Sequence, residues 1–309
     1  MIYPNSLKRG DIIKVISPSN GTKSNKLEQL DSAINVLTSL GYKVIEDKFT
    51  RVSFNGASAN RELRVRELNN SFEDNSNALI AASGGDFINQ IMNDADFEKY
   101  MNNIKWIQGH SDITLLLYYI TTKYDVATIY NFNIRGYASE CEEAVKYSLK
   151  ALENKLMIEK PFTNWNIVND FLGVSGRVVG GCLESIKDIM GTKFDCFEIF
   201  ESKYKKDGII WYFDVSEFSI EDVSRTMWQL KTKGYFKYCN CILFGRFDEK
   251  SYTGRTLNDV INEELSDLNI PIIFNCDLGH SSPVLTIING ALMEIIKNDD
   301  EFIIKYIMR

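Results

Sequence analysis

The sequence predicts an α/β protein, with an N-terminal, mainly parallel α/β sheet domain followed by a smaller β-rich domain. Three observations carry this reading. Short β-branched runs alternate with helically spaced segments from residue 11 to about residue 130. Pro, Gly and Ser interrupt the chain where those runs end. After about residue 140 the pattern changes to a charged helix and then to longer apolar strands.

Taken in order, "DIIKVISPS" is a β-branched run that stops in a Ser-Pro-Ser loop. "KLEQLDSAINVLTSLGY" repeats its apolar residues at helical spacing until Gly41 closes it. "KVIED" reads as the next strand, "SANRELRVRELNNSFED" as a polar helix, "NALIAAS" as a buried strand and "DFINQIMND" as the start of a further helix. "IKWIQG" and "DITLLLYYITTKY" repeat the unit, and "VATIYNF" adds a strand. Strands joined by helices of this length imply right-handed crossovers and a parallel sheet. Ligands collect at the carboxyl ends of such strands, where Pro18, Gly84-Gly85 and Ser111 all fall.

"ECEEAVKYSLKALENKL" is a charged helix, and the irregular "EKPFTNWN" follows it. The expected division is therefore residues 1–140 for the α/β domain, 141–170 for a connecting segment and 171–309 for the β-rich domain. Near the end, "VLTIINGALMEIIKNDDEFIIKY" has the look of a β-meander turning at Asn-Gly and Asn-Asp-Asp.

Composition excludes several classes. With 44% apolar and 25% charged residues and only 5 Pro in 309 residues, the chain has the makings of a large core. A formal net charge of -7 argues against a nucleic-acid binder, which needs clustered Lys and Arg. No apolar stretch approaches the roughly 18 residues of a bilayer span, and the N-terminus lacks the apolar run of a secretory signal, so a cytoplasmic protein without membrane partners is expected. Cys141, Cys182, Cys196, Cys239, Cys241 and Cys276 form no CxxC pair and read as reduced, mostly core residues. No metal site and no cofactor is expected, since GxGxxG, GxxxxGK[ST] and HExxH are all absent.

One stretch, "KWIQGHSDITLLLYYITTK", breaks an apolar run at Gly-His-Ser-Asp and restarts it at helical spacing. Either Ser111 and Asp112 only cap the helix, or the corner presents the Ser111 hydroxyl as a nucleophile. A serine nucleophile needs a base, usually histidine, and the chain has two. His110 is next to Ser111, where adjacent side chains point apart, which leaves His280 in the loop "NCDLGHSSP"; a loop histidine without a task is the alternative. For a carboxylate to orient the imidazole, Asp214 at the end of "GIIWYFD" is best placed, with Glu217 in reserve, although a strand-end carboxylate also serves as a cap. Gly84 and Gly85 in "AASGGDF" and the N–H of Asp112 could supply oxyanion donors, and a plain strand-to-helix turn is the competing reading. Gly109-x-Ser111 keeps half of a nucleophile-elbow pattern, with Ile113 in place of the last glycine. Gly84 and Trp165 are candidate substrate contacts, Trp165 as an aromatic platform or else a core or surface residue.

Together these motifs resemble the LD-carboxypeptidase family of serine peptidases, which includes the microcin C immunity proteins. The resemblance runs through "LKRGDIIKVISPS", "ASGGDF", "GHSDIT", "GRVVGGCLESIKDIMGT" and "CDLGHSSPVLTIINGA" in that order, across nearly the whole chain. It implies Ser111 as nucleophile, His280 as base, the N–H groups of Gly85 and Asp112 as oxyanion donors, and an active-site cleft between the two domains. Two departures stand out. Counting back from Arg225 places Asp214 where the family carries Glu, and Tyr130-Asn131 replaces a His-Gly pair of the family. The implied activity is removal of the terminal D-alanine from cytoplasmic muropeptide tetrapeptides in cell-wall recycling, by a homodimer without metal. One alternative is an immunity-type hydrolase of peptidyl- or aminoacyl-nucleotides. The other is a catalytically weakened ligand-binding relative.

Overall fold

The computed structural model describes residues 1–299 and 301–308. Its fourteen strands, in chain order, are β1 (Ile12–Ile16), β2 (Lys43–Glu46), β3 (Ala78–Ala81), β4 (Trp106–Gly109), β5 (Thr128–Tyr130), β6 (Ile158–Glu159), β7 (Asn166–Val168), β8 (Gly173–Cys182), β9 (Ile209–Asp214), β10 (Cys239–Gly245), β11 (Ile272–Cys276), β12 (Ile287–Asn289), β13 (Leu292–Asn298) and β14 (Glu301–Ile307). The first sheet has the order β12-β5-β4-β3-β1-β2, and β1 to β5 run parallel through helical crossovers. β3 is ALIA and wholly buried, as a central parallel strand covered on both faces must be.

The second sheet has the order β6-β14-β13-β8-β9-β10-β11-β7. Its centre, β8 to β11, is parallel, and antiparallel strands flank it on both sides. The expected terminal β-meander is not formed. β12 leaves the strands that follow it and pairs antiparallel with β5 in the first sheet, Ile288 opposite Ile129, while β13 and β14 form a hairpin in the second. β12 thereby extends the first sheet by one strand beyond β5 and becomes its edge. Asp300, within the expected Asn-Asp-Asp turn, lies outside the described residues.

The helix Thr114–Tyr124 explains its own sequence. Every residue from Thr114 to Thr122 is buried, because the helix lies between the sheets and has no solvent face. Its Tyr118 ring stacks on Trp211 of β9 at 6.2 Å, and Phe197 and Tyr235 pack on the same indole at 4.7 and 6.0 Å. Burying side chains of this size contributes roughly 1.5–3 kcal/mol each, so the contact holds β9 firmly against the element that starts at Ser111. Gly180 and Gly181 let β8 approach as closely. A Cβ on Gly181 would lie 2.3 Å from Thr114 Cγ2, and the Cys182 N–H donates to Thr114 Oγ1 at 3.0 Å. The six cysteines are free, and all but Cys141 are buried.

Candidate active site

Ser111 stands between β4 and the helix it precedes, with φ +63° in the left-handed region that non-glycine residues rarely adopt. The strain turns the chain sharply, so that a strand-end residue faces outward. Gly84, just beyond β3, is packed against it: a Cβ there would lie 2.8 Å from Ser111 Cβ and 3.6 Å from Asp112 N. Only a residue without a side chain allows that approach. Gly85 follows at φ +148°, and a Cβ on it would collide with Ser19 Oγ.

The Asp112 side chain points into the fold. Its Oδ2 accepts from Ser19 Oγ and, at 2.9 Å, from the Ile88 N–H, which ties the ends of β1 and β3 to the start of the helix. Burial pushes its pKa up against these two hydrogen bonds. Its backbone N–H is the group left for the cleft.

Asp214 ends β9 and is fully buried. His280 Nδ1 lies 2.9 Å from one of its oxygens and 3.1 Å from the other. Gly279 makes this possible, since at φ +87° its backbone passes so close that a Cβ would overlap Asp214 Oδ1. Burial opposes ionisation of Asp214, but hydrogen bonds from His280 and Tyr130 outweigh it and hold the carboxyl below its usual range. For His280, burial disfavours the charged ring, and the Asp214 carboxylate more than compensates, leaving the pKa above its ordinary value.

Tyr130, which sequence reasoning saw only as a missing His, is the link between the two halves. Its hydroxyl donates to Asp214 Oδ2 at 2.5 Å and accepts the Ser111 N–H at 3.3 Å. Asn131 has a separate task, binding Thr286 Oγ1 at 2.7 Å. Glu184 was also missed. Its Oε1 accepts the N–H groups of Ser216, Glu217 and Phe218 at 2.7–3.0 Å and so shapes the loop after β9. No local motif announces either role, because both partners come from distant elements.

The structure thus brings Ser111, Asp214, His280, Gly84, Gly85 and Asp112 together. Among the described residues no hydrogen bond joins Ser111 Oγ to the imidazole; such contacts often tighten only with substrate. Glu217 is exposed and does not hold His280. Trp165 is not part of the grouping: it is buried against Phe302 and donates its indole N–H to Asp277 at 3.0 Å. Ser111 opens on a cleft of about 430 Å³ whose walls include Cys182, Glu184 and Phe218. Among the described residues no group of His, Cys, Asp and Glu is arranged to hold a metal ion, and no helix is long and apolar enough to cross a membrane.

Residues 13–131 match the profile of the LD-carboxypeptidase N-terminal domain, and residues 175–295 match that of the C-terminal domain. The chain belongs to the LD-carboxypeptidase family. A Vibrio cholerae relative of that family, named "Putative carboxypeptidase", is 28% identical, with 92% of each chain covered. The microcin C7 self-immunity protein MccF of Escherichia coli is 25% identical over 93% of this chain and 90% of its own. Among solved structures, an MccF-like protein from Bacillus anthracis superposes with a TM-score of 0.84 at 24% identity, covering 100% of both chains. MccF in complex with glutamyl sulfamoyl guanosine gives 0.85 at 22%, covering 99% of this chain and 98% of its own. The two-part α/β architecture is that of these family structures.

Proposed function

We propose that the protein is a serine carboxypeptidase that removes the terminal D-alanine from a muropeptide tetrapeptide. The observation that supports its serine-hydrolase chemistry is the Asp214–His280 contact at 2.9 Å, joined through the Tyr130 hydroxyl to the strained backbone of Ser111, and the choice of substrate follows the family match. With Nδ1–H donated to Asp214, the lone pair of the imidazole sits on Nε2, free to take the Ser111 proton. Ser111 Oγ attacks the amide carbonyl as its proton passes to His280. The oxyanion is held by the N–H groups of Gly85 and Asp112; the Ser111 N–H is already spent on Tyr130. His280 then gives its proton to the leaving amine, and water, activated by the same nitrogen, hydrolyses the acyl-enzyme.

The family resemblance also suggests a cytoplasmic homodimer, for which sedimentation velocity is the check. The primary experiment is D-alanine release from a purified muramyl tetrapeptide by the wild type and by Ser111→Ala. The variant is expected to lose on the order of 10³-fold or more in turnover. Absence of release by folded wild type would overturn the muropeptide reading.

A second reading has its own support. Phe218 lines the Ser111 cleft, whose volume lies within the usual range for small-molecule sites, and the neighbours' solved complexes contain AMP and aminoacyl sulfamoyl nucleosides. Under it, the same serine cleaves an aminoacyl- or peptidyl-nucleotide. Assaying such a compound beside the tetrapeptide decides between them. The engaged Asp214–His280 pair speaks against a relative that only binds.

A further inference from the structure

The Ser111 cleft has acids in its walls, Asp86, Asp112, Glu184, Asp188 and Glu217, and among the described residues no Lys or Arg. A carboxypeptidase must distinguish a chain end from a chain middle, and what marks the end is a free carboxylate. The cleft offers that anion no positive partner.

A separate recess of about 160 Å³ has His280 in its wall, together with Gly279, His110, Asn133, Arg135 and Glu140. Arg135 is half-buried; its Nε is enclosed without a partner, and its Nη1 makes one long contact, 3.4 Å, to Gln29 Oε1. Among the described residues no carboxylate forms an ion pair with it. Glu140, the acid in the same wall, accepts the Ser282 hydroxyl at Oε1, keeps its Oε2 buried without a hydrogen-bond partner, and forms no ion pair with Arg135. Burial pushes the Arg135 pKa down, and no anion offsets that effect. His110 adds no charge at neutral pH, since burial and the nearby His280 push its pKa down to about 4. A partly desolvated cation without an ion-pair partner is costly to the fold, and is the kind of group that an incoming anion engages.

The chemistry of the leaving group points to the same place. His280 must protonate the leaving amine, so the departing residue lies against the imidazole. In an amino acid, a single carbon separates the amine from the carboxylate. A cavity on the order of 150 Å³ holds a molecule the size of benzene, so the recess suits a small residue such as alanine.

We propose that Arg135 binds the free carboxylate of the leaving residue in this recess and so sets the preference for a chain end. The inference rests on the hydrolase reading above.

The test compares a tetrapeptide ending in a free carboxylate with the same peptide ending in a carboxamide. Wild type should favour the acid by at least about tenfold in kcat/KM, the effect of one charge-assisted contact. Arg135→Gln should bring that ratio toward one, chiefly through KM, and Arg135→Lys should restore part of it. Equal use of both peptides by wild type, or a preference that survives in Arg135→Gln, would overturn the assignment while leaving the serine hydrolase intact. Calorimetry on Ser111→Ala, with and without Arg135→Gln, separates the two ideas. If wild type cleaves neither peptide, the proposed function falls, and Arg135 is then judged by binding alone. Selective binding of the acid that requires Arg135 would sustain it, and equal or absent binding would reject it.

Discussion

Asp214 occupies a position where the family resemblance leads one to expect Glu, and its surroundings show why the shorter acid works. The carboxylate is hemmed in by the Gly279 backbone on one side and the Tyr130 hydroxyl on the other. An added methylene would drive it into that backbone or rotate it off His280. Asp214→Glu is therefore expected to lower kcat/KM by roughly 10²-fold, the usual cost of displacing a reacting group by about 1 Å; a gain in activity would refute this fit. Tyr130 acts on the same carboxylate. Catalysis needs the neutral imidazole, so activity should fall as pH drops through a His280 pKa that lies above its ordinary value of about 6.5. Tyr130→Phe removes a donor from Asp214 and leaves more of its charge to His280, which favours the imidazolium. The acid limb of the kcat/KM profile should then move to still higher pH, and kcat should fall because the Ser111 N–H loses its acceptor. An unshifted limb would assign Tyr130 a packing role alone.

Elements place these residues through close backbone contacts more than through hydrogen bonds. The helix Thr114–Tyr124 is gripped by β8 at Gly181 and by β9 at Trp211, so the nucleophile and the acid are positioned by one packing unit. Gly181 has φ +149°, and its missing Cβ is what admits Thr114. Gly181→Ala should destabilise the protein by about 1–3 kcal/mol, as overpacking generally does, and denaturant midpoints will measure it. The "VVGGC" stretch of β8 thus has a structural meaning: it is the hinge of contact between the sheets. Its glycines could be seen in the sequence, but the helix they meet could not, because the two lie more than sixty residues apart.

At the scale of the whole molecule, the two sheets share strands across the expected boundaries. β12, deep in the C-terminal half, completes the first sheet, and β6 and β7, within the expected connecting segment, belong to the second. The loop carrying His280 is consequently anchored in the second sheet by β11 and in the first by β12. Local pattern determined a good deal. The alternation of strand and helix, the corner at Ser111, the paired glycines after β3 and the His280 loop were all legible, because each depends on spacing and turn chemistry within a few residues. Asp214 was legible through its place at the end of an apolar strand and its spacing to Arg225. The Tyr130 bridge, the Glu184 brace, the burial of Trp165, the position of β12 and the setting of Arg135 were decided by tertiary structure alone. Each depends on which distant side chain or strand edge arrives beside it, and that outcome is set by the packing of two sheets on one helix, which no local window of sequence contains.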